Sequence, residues 1–162
     1  MNYFHYKSVA DKLITLITNE NLHISLEACG FFLNRCERNE WNKLAILRDE
    51  IKNEQLRAAL FKILLKHGRK EEKKAVNSHI LSEYNKLKDP FKKGFYIDAL
   101  KAWTSNYKQL SQMAFKEVDI VVNSAAMQAF FELSDYENFS KIREYRNEEE
   151  RAARAKEFHE AL

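Results

Sequence analysis

Three glycines and one proline are all that these 162 residues offer for sharp turns. Strand-rich folds need turn residues about every 8–12 positions, so the shortage excludes sandwiches and barrels. What fills the chain instead is Leu, Ala, Lys and Glu, the residues that propagate helices. Cysteine is scarce as well. Cys29 and Cys36 lie seven apart, which on one helix puts them on the same face but beyond disulfide reach. The spacing is not that of a metal-ligand pair either. Both read as buried reduced thiols, at home in a reducing compartment. No apolar run reaches the length of a membrane span. The opening MNYFHYKSVADK lacks the basic-then-apolar layout of a signal peptide. These absences point to a cytoplasmic protein.

Chemical signatures are missing too. There is no phosphate-cradling glycine loop, no nucleophile elbow and no His-Glu-x-x-His. Of the five histidines, His23 and His79 each stand four residues before a glutamate, Glu27 and Glu83. That spacing suits an exposed pair on one helix face. Two-metal helical bundles draw Glu-x-x-His pairs from two helices plus further inward glutamates, and that full set is absent. The expectation is a protein without catalytic residues, cofactor or metal.

What is present is helical periodicity. Val9, Leu13, Leu16 and Ile17 give a first helix from about Ser8, with Tyr3, Phe4 and Tyr6 ahead of it as a core plug. A second is expected over about 25–38, with Gly30 inside it as a mark of close helix approach, and a third over about 40–52. A helix-turn-helix across 25–48 fails on the missing small turn residue and on Glu40, Asp49 and Glu50 in the would-be reading helix. Leu56, Ala59, Leu60, Ile63 and Leu64 mark a fourth helix, stopped at His67-Gly68 in the manner of a left-handed glycine cap. A fifth runs over about 70–88. Asp89-Pro90 opens a sixth with an N-cap acid and proline in the first turn, and Thr104-Ser105-Asn106 reads as a break.

The longest apolar stretch is Tyr107 to Leu133. Between Gln109 and Phe131 its only charges are Lys116, Glu117 and Asp119. As one helix it would span about 40 Å and would need burial on most sides. The sequence therefore predicts a single-domain all-α bundle of seven to eight helices around a long central helix, 107–133. A short α-solenoid of helix pairs is the alternative packing. Residues 1–146 form the helical domain, and 147–162, apolar only at alanines from Asn147 to Glu157, read as a polar C-terminal helix extension.

Two surfaces stand out. At 100° per residue, the polar stripe Lys108, Gln112, Lys116, Asp119 and Asn123 runs on into Ala126, Met127 and Phe130. With Tyr136 and Phe139 these define a candidate protein interface, for a homodimer or another partner. The second is basic: residues 62–101 hold 11 Lys/Arg against 5 Asp/Glu, whereas 132–162 hold 6 against 9. Helix-end dipoles account for Lys62, Lys66, Lys86 and Lys88. Arg69, Lys70, Lys73, Lys92 and Lys93 lie at helix starts, where cations are disfavoured, and are candidate anion or nucleic-acid contacts. The reading is a non-enzymatic protein-interaction module (adaptor, regulator, chaperone-like or inhibitor). A nucleic-acid-binding regulator using 66–93 is the alternative.

Overall fold

The computed structural model describes residues 3–133, with side chains from Tyr6 onward. Over that range the fold is all-α, with eight helices. In chain order they are α1 (Tyr3–Ile17), α2 (Leu22–Asn34), α3 (Arg38–Glu50), α4 (Glu54–His67), α5 (Lys70–Lys86), α6 (Pro90–Leu100), α7 (Tyr107–Lys116) and α8 (Ile120–Leu133). One 3-10 turn, Thr104–Asn106, precedes α7 at the expected break.

Local chemistry sets most boundaries. Asp89 caps α6, accepting from the backbone N–H groups of Phe91 (2.9 Å) and Lys92 (3.4 Å), with Pro90 in the first turn. Asn21 and Asn53 cap α2 and α4 in the same way. Ser25, expected to open the second helix, is instead buried within it. Ser8, likewise expected as a cap, lies inside α1.

The long central helix does not form. Glu117 takes an extended conformation, Val118 is 99% exposed, and Asp119 caps a new helix by accepting from Val121 (2.9 Å) and Val122 (3.1 Å). The expected water-facing stripe is interrupted between Lys116, the last residue of α7, and Asp119, and α7 and α8 fold against each other as a hairpin. The centre is α4. Leu56, Ala58, Leu60, Phe61, Ile63, Leu64 and Leu65 are all buried, half of its 14 residues and on more than one face, because α2, α3, α5 and α6 all pack on it.

The pairing follows chain order. The even helices form one row, α2 on α4, α4 on α6 and α6 on α8, while α1, α3, α5 and α7 lie alongside. The even helices thus stack in chain order within the all-α bundle. Polar ties follow both rows. On the odd side Lys43 binds Asp11 at 2.7 Å, and Arg38 grips Glu72 through two bonds of 2.8 and 2.5 Å. On the even side Lys62 meets Asp98 at 2.7 Å and Lys101 meets Asp98 at 2.5 Å and Glu132.

Candidate functional site

The break at Glu117–Asp119 changes where α8 points its side chains. Ala126 and Phe130 are buried, Phe130 against Phe115 with ring centroids 6.4 Å apart, and Met127 is half-buried. The expected apolar interface at these three residues is therefore corrected to hairpin core. Burying a phenylalanine contributes about 1.5–3 kcal/mol, which is reason enough for Phe130 to be there. Tyr136, Phe139 and the extension 147–162 lie outside the described residues.

The basic candidates are not one patch. Arg69, Lys70 and Lys73 stand at the start of α5, and Lys92 and Lys93 at the start of α6. The rest of α5, residues 74–86, lies between the two groups, about 20 Å of helix at 1.5 Å per residue. Each group also has local company. Glu72 accepts the Arg69 backbone N–H at 2.8 Å and pairs with Arg38, so a carboxylate already occupies the start of α5. The hydrogen bond from Arg38 is the main reason that carboxyl is held below its usual range. Lys93 rests its ammonium 4.9 Å from the centre of the Tyr84 ring, a cation–π contact.

Titratable side chains concentrate where α4, α5 and α6 meet. Tyr96 donates to Glu54 at 2.5 Å, Arg57 pairs with Glu83 at 3.0 Å, and Lys86 joins Glu83 at 2.8 Å. Burial and the Glu54 hydrogen bond push the Tyr96 hydroxyl up. His79 sits 3.9 Å from Glu83 with its ring edge on Phe61, and its pKa is lowered, by burial first and by Arg48 second. The His79–Glu83 pair is thus part of an inter-helix tie rather than a free surface pair. Glu20 and His23 have the Glu-x-x-His spacing, but both are exposed at the start of α2. Among the described residues no group of His, Cys, Asp and Glu is placed to hold a metal ion. No described helix is long and apolar enough to cross a membrane.

The concave features lie along the even row. Between α6 and α8 is a cleft of about 220 Å³ lined by Phe91, Gly94, Phe95, Val121 and Ala125, closing at Asp98 and Lys101. Gly94 lies on its floor, where a Cβ would stand in ordinary contact with the Ala125 methyl at 3.8 Å. Phe91 is 70% exposed at its mouth, with Ile120 exposed on the neighbouring helix. Lys101 also lines a wider groove of about 660 Å³, with Leu33 and Asn34 of α2, Lys62 and Lys66 of α4, and Glu132 and Leu133 of α8. The two share one residue and form one surface, apolar towards the starts of α6 and α8 and basic where α2, α4, α6 and α8 end.

Sequence reading did not find this surface, because its parts come from four helices. In the sequence Lys62 and Lys66 read only as dipole partners. The nearest signal was Gly94, a glycine in a helix interior that costs stability and so wants a packing or functional reason. Compared with family models, curated proteins and solved structures, the chain matches none of them.

Proposed function

We propose that the protein is a non-enzymatic helical module that acts by binding another protein, and that the even-row groove is its binding surface. The observation that carries this is Phe91, a large apolar side chain left 70% exposed over a cleft floored by Gly94 and Ala125. Interface cores are built from such aromatic anchors in pockets, and stacked helix pairs recur as scaffolds for concave binding faces. The polar clusters support the same reading. Glu54, Arg57, Glu83 and Tyr96 bind one another across three helices, which spends them on holding the row together.

The test uses the tagged full chain in the cell that makes it. A defined partner should co-purify with the native chain and be lost with Phe91→Ser or Gly94→Arg, while circular dichroism stays unchanged. Retention of the same partner by both folded variants would contradict the reading.

A further inference from the structure

The basic half of the groove does not balance its charges among the described residues. Lysines near helix C-termini ordinarily complement unsatisfied carbonyls. Here side-chain donors of the chain also reach carbonyls near the helix ends. His67 Nε2 lies 3.1 Å from the Leu33 carbonyl, and Trp41 donates its indole N–H to Leu64 at 3.1 Å. Asn106 gives its amide to Leu100 at 2.8 Å. The Leu64 and Leu100 carbonyls also accept the Gly68 and Trp103 N–H groups, at 2.9 and 3.3 Å, so these side chains reinforce the helix ends without taking the place of lysine there. Lys62 and Lys101 share Asp98 and Glu132. Lys66 is exposed and joins no ion pair among the described residues. Among the described residues three cations stand against two carboxylates at this end, next to an apolar cleft at the other.

Resting on the groove being the binding surface, we infer that its occupant is an acidic amphipathic peptide segment of a partner protein. Its apolar anchor enters the cleft at Phe91, Gly94 and Val121, and its carboxylates reach Lys66 and Lys62. From Phe91 to Lys101 is ten residues of α6, about 15 Å. A segment of roughly ten helical residues or five extended ones covers that distance. Carboxylate to lysine is the complementary pairing, and a charge reversal on either side should be repulsive.

The probe is a display library of random peptides of about a dozen residues, selected on the full chain and measured individually by fluorescence anisotropy. Selected peptides should combine an aromatic or aliphatic anchor with acidic residues and bind more weakly as salt rises. Lys66→Glu and Phe91→Ser, both at exposed positions, should each weaken them about tenfold or more. Peptides without acidic enrichment, lost with Phe91→Ser but unmoved by Lys66→Glu, would overturn the acidic partner and leave the groove standing. No enrichment, or binding indifferent to both substitutions, would overturn the groove as well. A labelled single-stranded oligonucleotide bound by the native chain and released by Lys66→Glu would assign these lysines to phosphate, and the inference would be wrong.

Discussion

Gly30 and Gly68 show how one residue type answers to two different constraints. Nothing lies within 4 Å of where a Cβ on Gly30 would go, although it sits inside α2. The expected close helix approach is absent there, and the glycine only adds backbone entropy to the unfolded chain. Gly30→Ala should stabilise the protein by about 0.5–1 kcal/mol. Gly68 is the opposite. Its backbone is extended, at φ −68° and ψ 159°, so the left-handed cap expected from sequence is not the reason for it. A Cβ would stand 2.7 Å from the Leu64 carbonyl oxygen and 3.4 Å from Trp41 Nε1, the two atoms of a hydrogen bond that pins α3 to α4. Gly68→Ala should cost at least the roughly 1 kcal/mol of that bond. Denaturant melts of the two variants should move the midpoint in opposite directions. Burial pushes both Cys29 and Cys36 up to about 12, with the carboxylates of Glu40 and Glu37 adding to the effect at Cys36. At pH 8 a thiol reagent should label the native chain slowly and the unfolded chain at both cysteines. Fast native labelling of either would show that its pocket is open.

At the scale of elements, helices were legible wherever period and caps agreed. The Asp89 cap, the stripe of α4 and the Thr104–Asn106 break all stand where the residues imply. The break between α7 and α8 was harder, since no glycine or proline marks it. Its signal was Asp119 two residues after Glu117, an N-cap acid within an otherwise apolar run. Among the described residues the longest helix, α5, has 17 residues, too few to cover a helix of 27, and the hairpin gives each half a partner instead. Asp119→Ala removes two capped N–H groups and should destabilise the hairpin by about 1 kcal/mol, visible as faster amide exchange at the start of α8. The Lys62–Asp98–Lys101–Glu132 tie makes α6 and α8 sensitive to acid. Burial would raise the Asp98 pKa, but hydrogen bonds from Lys101 and Lys62 outweigh it and hold it low; Glu132 is held low by Lys101. Stability from the tie is present above the ordinary carboxylate values of about 4 and is lost as pH falls through the depressed folded ones. Asp98→Asn should flatten that acid limb in melts taken between pH 5 and 2. An unchanged acid limb would mean the tie contributes nothing.

For the whole molecule, fold class could be read from composition, while the groove could not. Turn scarcity and helical spacing are local properties of the chain, and they specified an all-α protein. Which helix ends converge depends on stacking: α4 occupies the centre because its apolar residues spread over several faces, and α8 reaches α6 only because of the turn at 117–119. The charges and aromatics of the groove come from positions 62 to 132 and carry no shared spacing. The central claim is that this even-row surface is where the protein works. Hydrogen exchange on the co-purified complex against the free chain tests it most directly. Protection is predicted in 91–102 and 120–133 and at the end of α4. Protection confined to α1, α3 and α5, with the even row unchanged, would contradict it.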